Sequence, residues 1–226
     1  MLTSSPATRL RLLSTSLAVG LACGCAPVVK EAPAPTPTLP ATSEQSVAQP
    51  PPELPAGLER AHAQDAGVTF GLPRGWLVLD LAHPEPETAS VVARKLEVSV
   101  EDLPDALGPA TLMVAVSDAD DSASVTLTEL PIGTSLEDMR TALTDTGATI
   151  KDHEEVQTPL GEATVVGYTM PADEDVLAHG RIANIALQEG AVQLTTTSND
   201  AATTASLTKN ALATLARDPQ AADHDH

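Results

Sequence analysis

The side chains able to do chemistry are few and scattered. Cys23 and Cys25 are the only thiols in 226 residues. A Cys-x-Cys pair becomes a metal or redox site when further thiols or imidazoles complete it, and two ligands fall short of a closed zinc site. His179 follows Asp173-Glu174-Asp175. A carboxylate beside an imidazole is the arrangement of a general base, and with one of the many Ser or Thr hydroxyls it would make a hydrolase; a solvated loop is the competing reading. His153 stands in the charged run Lys151 to Glu155, which reads as a solvated strand edge. The tail Asp223-His224-Asp225-His226 has the residue types for weak divalent-metal binding and reads first as a disordered acidic end. There is no Gly-x-Ser-x-Gly elbow, no glycine-rich phosphate loop and no His-Glu-x-x-His. Asp118, Asp120, Ser122, Ser124, Thr126 and Glu129 fall in a calcium-loop register, yet Ala123 stands where glycine is needed and Pro131 blocks an exiting helix. That segment is expected to be a hairpin with an acidic turn rather than a calcium site.

Charge and composition narrow the classes further. Asp and Glu number 31 against 12 Lys and Arg, a formal net charge of -19. A surface of this sign repels phosphate backbones and anionic headgroups, so no nucleic-acid or polybasic membrane-surface role is expected. Phe70, Trp76 and Tyr168 are the only aromatics, too few for base-stacking platforms. Trp76 and Tyr168 carry the most packing area and are the candidates for a ligand or partner surface; Trp76, which follows a turn, is weighed both as core and as the wall of such a surface. No cofactor and no metal centre is expected.

The first 22 residues are set aside as a targeting segment. Arg9 and Arg11 form a positive n-region, and Leu12 to Ala22 is an uncharged apolar and small-residue run. Such a run covers roughly 16 Å as a helix, about half a bilayer core, so it is a secretory signal and not a membrane span. Gly20-Leu21-Ala22-Cys23-Gly24-Cys25 resembles the lipobox of bacterial lipoproteins, in which the thiol is acylated and becomes the first mature residue. Cys23 after Leu21-Ala22 fits better, with Cys25 as the alternative. Loss of Arg9 and Arg11 with the signal takes the net charge from -19 to -21. The expected location is the cell membrane, lipid-anchored on the extracytoplasmic face. Residues 23–65 read as the lipidated cysteine and a disordered tether, with prolines at 27, 33, 35, 37, 40, 50, 51, 52 and 55; proline removes donors and fixes φ, which favours an extended spacer. Gly57 to Asp65 is expected to add a short helical turn.

A folded domain is expected over 66–217 and a disordered acidic tail over 218–226. Strands are expected at 68–72 and 76–80 around the turn Pro73-Arg74-Gly75, a helix near 87–97, and a hairpin of 110–117 with 123–130. In the latter strand Val125 and Leu127 share one face and Thr126 and Thr128 the other, and the pattern alone leaves the solvent side open. A helix follows over 136–146, with Ser135 as N-cap, Asp138 in a capping-box position and Gly147 at C′. Four strands come next, at 149–157, 163–170, 180–188 and 191–197, in an antiparallel meander. Asp200 then caps a final helix over 201–217. Antiparallel strands with helices between and after them define an α+β domain.

The segment Phe70-Gly71-Leu72-Pro73-Arg74-Gly75-Trp76, the midchain helix, Thr158 to Tyr168, the two strands beyond it and the terminal helix together resemble the PsbP-like fold. Within it the resemblance is to LpqN-type lipoproteins of mycobacteria and related actinobacteria. That resemblance covers roughly 150 residues and implies a central antiparallel sheet packed between helices, an α-β-α sandwich. It also implies an envelope-anchored, non-catalytic protein, one that binds a protein partner or an apolar envelope molecule. It carries over no active-site residues, since members share none.

Overall fold

The computed structural model describes residues 51–219, apart from 132, 174–175 and 188–189. In chain order the elements are β1 (Leu58–Ala63), β2 (Val68–Pro73), β3 (Trp76–Asp80), α1 (Pro86–Lys95), α2 (Leu103–Leu107), β4 (Thr111–Ser117), β5 (Ser124–Leu130), α3 (Leu136–Asp145), β6 (Thr149–Thr158), β7 (Gly161–Asp173), β8 (Val176–Leu187), β9 (Gly190–Ser198), α4 (Ala201–Ala213) and β10 (Ala216–Arg217). The strands form an antiparallel seven-stranded sheet, order β3-β4-β5-β9-β8-β7-β6, and a small sheet, order β1-β2-β10. The class is α+β, as expected, and the last four long strands form the expected meander.

Strand alternation sorts the large sheet into two faces. Val125, Leu127, Val192, Leu194, Ala183, Ile185, Ala163 and Val165 pack with Phe70, Val68 and Leu72 of the small sheet and with Ala211, Leu212 and Leu215 of the C-terminal region. This is the main core, and Phe70 is wholly buried in it. The opposite face has two separate clusters. Val114 and Val116 of β4 and Leu79 of β3 take Ala89, Val92 and Ala93 of α1 and Leu103 and Leu107 of α2. Val166, Tyr168 and Ile182 take Met139 and Leu143 of α3.

The caps form as their residue types require. The Ser135 Oγ accepts from the Asp138 N–H at 3.2 Å while the Asp138 carboxylate accepts from the Ser135 N–H at 2.8 Å, a reciprocal capping box. The Asp200 carboxylate accepts from the Thr203 N–H at 2.7 Å. The Ser135 and Thr203 hydroxyls donate to the Asp138 and Asp200 carboxylates, each at 2.7 Å, and these bonds, followed by the backbone N–H bonds, hold the two carboxyls below the ordinary carboxylate value. Their folded-state values are depressed, so their contribution to stability is present above the unfolded-state value of about 3.9 and fades as pH falls through the lowered folded values. Ser135→Ala and Thr203→Ala are therefore expected to flatten the acid limb of a stability-against-pH curve, read by urea unfolding at a series of pH values.

α1 ends on Glu97, whose φ of 56° lies in the left-handed region. The Val98 N–H closes back to the Ala93 carbonyl at 3.0 Å, which fixes this turn. Glycine would adopt the same φ without the Cβ penalty, so Glu97→Gly is expected to stabilise the domain by about 0.5–1 kcal/mol. A lower urea midpoint for that variant would contradict this.

The structure corrects several sequence expectations. Leu58–Ala63 is a strand and not a helical turn, because β2 supplies a paired partner along its whole length, Leu58 with Pro73 through Ala63 with Val68. The fold therefore starts before residue 66, inside the stretch assigned to the tether. The turn expected at Pro73-Arg74-Gly75 is present and carries the chain from the small sheet, where β2 pairs with β1, to the large one, where β3 pairs with β4. The last helix stops at Ala213, where the Thr214 hydroxyl donates to the Asn210 carbonyl at 2.6 Å and accepts from the Gly71 N–H at 2.7 Å, and residues 216–217 return as a strand on β2. Asp218, assigned to the tail, is 4% exposed. α2 was not anticipated at all. The expectations for residues 1–50 and 220–226 lie outside the described residues.

Candidate functional site

Helices α1 and α2 sit over one end of the large sheet and α3 over the other. Between them, on the same face, lie β5, β9 and part of β8. Paired residues of neighbouring antiparallel strands share a face, so the pairs Thr126 with Thr195, Thr128 with Gln193, and Gln193 with Asn184 line one strip. At about 4.8 Å between neighbours, three strands make a floor roughly 10 Å across between the outer strand axes. Thr126, Thr128, Asn184, Gln193, Thr195 and Thr197 are all half-buried. The Asn184 Oδ1 accepts from the Gln193 Nε2 at 3.1 Å, and the Asn184 Nδ2 is buried with no hydrogen-bond partner among the described residues.

Tyr168 bounds this strip. Its ring lies across Gly180, its partner in β8, so closely that a Cβ there would stand inside the ring. Its hydroxyl bonds to the side chain of Thr197, the next residue across the sheet, and burial pushes the phenol above its ordinary value, with that bond acting in the opposite direction. None of the six floor side chains ionises near neutrality. The strip can donate and accept hydrogen bonds, and it contains no group to move a proton.

Trp76 and Tyr168 were weighed together as a ligand or partner surface, and the structure separates them. Trp76 is half-buried on β3 and packs into the main core; Tyr168 is 7% exposed on β7, on the other face, five strands away in the sheet order. The geometry does not join them in one site.

His179 is not in a loop. It lies in β8, opposite Thr169 of β7 and Ser198 of β9, and its carbonyl accepts from the Thr204 hydroxyl at 3.1 Å. It borders a cleft of about 160 Å³ beside α4, with Thr169, Arg181, Thr204, Lys151 and Asp152. Arg181 there is committed to Glu154 at 2.7 Å and reaches Asp152 at 3.6 Å, and the Asp152 carboxylate lies against Gly167, where a side chain would displace it. The hairpin sets Asp173 opposite Val176, three residues from His179, a distance of about 10 Å along the strand. The register thus places position 173 at the hairpin end of the strand pair, away from position 179; Glu174 and Asp175 lie outside the described residues.

His153 is exposed on edge strand β6, in keeping with a solvated edge. The acidic turn between β4 and β5 closes on itself: the Asp120 Oδ1 accepts from the Ser122 N–H at 2.9 Å and the Ser122 hydroxyl at 2.7 Å, and Lys95 reaches Asp121 at 2.7 Å. Ser124 and Thr126 of the calcium-loop register lie in β5, so the segment is the hairpin expected. One titratable pair was missed by sequence reasoning. His62 on β1 and Asp218 after β10 meet at 2.7 Å, although one had been assigned to the tether and the other to the tail. A histidine opposite a buried carboxylate 156 residues away leaves no local signal.

No family model and no curated protein matches the chain. Among solved structures the chain is similar to the solution structure of cyanobacterial PsbP (CyanoP) from Synechocystis sp. PCC 6803, with 14% sequence identity over 72% of this chain and 93% of that one, at a TM-score of 0.46. This likeness concerns the fold and assigns no function.

Proposed function

We propose that the chain is a cell-envelope lipoprotein, acylated at Cys23, whose Pro-rich tether presents a non-catalytic binding domain to a partner on the extracytoplasmic side. The observation that carries this reading is the uncharged hydrogen-bonding strip that lies on the sheet face between two helix blocks. Its chemistry serves recognition, because it offers donors and acceptors on a rigid sheet and nothing that titrates near neutrality. A protein partner suits it better than an apolar envelope molecule, since the strip is polar and both large aromatics are committed to packing. The LpqN-type resemblance supports the same class. On the other side stands an envelope hydrolase based on His179 with Asp173, Glu174 or Asp175.

The two classes separate in one assay. The purified chain is expected to show no ester, glycoside or peptide hydrolysis that depends on His179. Turnover that disappears in His179→Ala would overturn the binding reading.

A further inference from the structure

The peptide bond that leaves the last strand joins a buried aspartate to an exposed proline. Asp218 is 4% exposed and Pro219 lies in solvent, and this is the only Asp-Pro pair in the chain. An aspartyl carboxyl can close a five-membered ring on its own carbonyl carbon. The proline nitrogen is a tertiary amide without an N–H, and it departs as a more basic amine than an ordinary main-chain nitrogen. Together these features make Asp–Pro the main-chain bond that acid splits most readily.

The fold fixes the attacking side of this bond and leaves the departing side in water. Arg217 pairs with Val68 of β2, and the Asp218 N–H donates to the Gly67 carbonyl at 2.9 Å. The His62 Nδ1 lies 2.7 Å from the Asp218 Oδ2, and the Asp218 side chain is fully buried. An ionised carboxylate only accepts, so the imidazole donates, as the neutral Nδ1–H tautomer or as the imidazolium. The other charged groups on the elements around Asp218 are Arg60 on the same face of β1, Asp65 in the turn that follows, Asp80, which accepts from the Gln64 N–H, and Arg217. A carboxyl already held in this way loses little further freedom on closing the ring, which is the source of a high effective molarity.

We propose that Asp218–Pro219 is a self-cleavage site, at which the folded domain hydrolyses its own chain in mild acid and releases residues 219–226. A carboxylate oxygen of Asp218 adds to the Asp218 carbonyl carbon, the C–N bond to Pro219 breaks, and the proline nitrogen leaves with a proton taken from solvent. Asp218 is then a cyclic anhydride. One water opens it to a side-chain and a C-terminal carboxyl group, so the sum is hydrolysis of one peptide bond. Asp218 is the catalytic residue and His62 a positioning residue. The event happens once per chain and is independent of the polar strip and its partner.

The test follows the tag-free chain by intact mass at about pH 5 and about pH 7.5, with folding checked by circular dichroism. At the lower pH a chain ending at Asp218 and the peptide 219–226 are expected to appear in a first-order process independent of protein concentration, at least about tenfold faster than at the higher pH. Chain unfolded in urea is expected to cleave at least about tenfold more slowly at the same pH, since it lacks the positioned carboxyl. Pro219→Ala, which leaves the described contacts of Asp218 in place, is expected to stop the cut. His62→Ala is expected to slow it at least about tenfold, and His62→Gln, whose side-chain amide can donate the same bond, to recover most of the rate. The proposal is overturned if the folded chain stays intact at the lower pH over several days, if Pro219→Ala cleaves at the parent rate, or if the unfolded chain cleaves as fast as the folded one. It is overturned equally if folded His62→Ala keeps the parent rate, or if His62→Gln is no faster than His62→Ala.

Discussion

Gly180→Ala is expected to cost about 3–5 kcal/mol, the scale of losing a buried aromatic side chain, and so a large share of the 5–15 kcal/mol that holds a typical domain folded. The reason is local. Tyr168 lies over Gly180 in the directly paired position of β7, and a methyl at 180 would occupy the space of the ring. β7 and β8 are held in register on both sides, Gly167 with Arg181 and Thr169 with His179, so the backbone has no slack and the ring must leave. Leaving strips the bond to Thr197 and opens the cluster that seats Met139 and Leu143 of α3. The mechanism has its own control. In a Tyr168→Ala background the same Gly180→Ala change is expected to cost less than about 1 kcal/mol, so a double-mutant cycle should show strong coupling. Equal costs in the two backgrounds, read from urea midpoints, would contradict the account of the pair.

Cys23→Ala is expected to move nearly all of the protein out of the processed membrane-bound form, either into the medium or into an uncleaved precursor. Each buried CH₂ of an acyl chain contributes about 0.8 kcal/mol, and a single chain gives only marginal attachment whereas two hold the protein stably. Under the proposed reading that anchor is acyl alone: no helix among the described residues is long and apolar enough to cross a membrane, and a net charge of -19 disfavours adhesion to anionic headgroups. Cys25→Ala is expected to leave fractionation and incorporation of a labelled fatty acid unchanged. If Cys25→Ala releases the protein and Cys23→Ala does not, the acylated residue is Cys25.

What the sequence showed of the fold follows the strength of local signals. Ser135 with Asp138, and Asp200 before an apolar stripe, are short-range devices that act within four residues, and both caps form as read. The four meander strands have turn residues between them and β-branched alternation within them. β1 has neither: Leu-Glu-Arg-Ala-His-Ala favours a helix by propensity and becomes a strand because β2 pairs with every residue of it. β10 is two residues long and exists only through that same neighbour.

The polar strip was less legible for a related reason. Along β5 the alternation of Val125 and Leu127 with Thr126 and Thr128 says that two faces differ, but which lies open depends on helices far away in the chain. α4 and the small sheet take the Val125–Leu127 face. α1 and α3 settle at opposite ends of the other, which leaves the threonines between them.

The central claim is that a tethered domain recognises a partner through this strip. The most direct measurement places a photoreactive amino acid at Thr195, in the strip, or at Lys209, exposed on α4 over the opposite face, in the membrane-bound protein in living cells. Irradiation is expected to join the Thr195 variant to one discrete protein, with no such adduct from the Lys209 variant. An adduct from Lys209 alone, or none from Thr195 while the protein is folded and anchored, would contradict the claim.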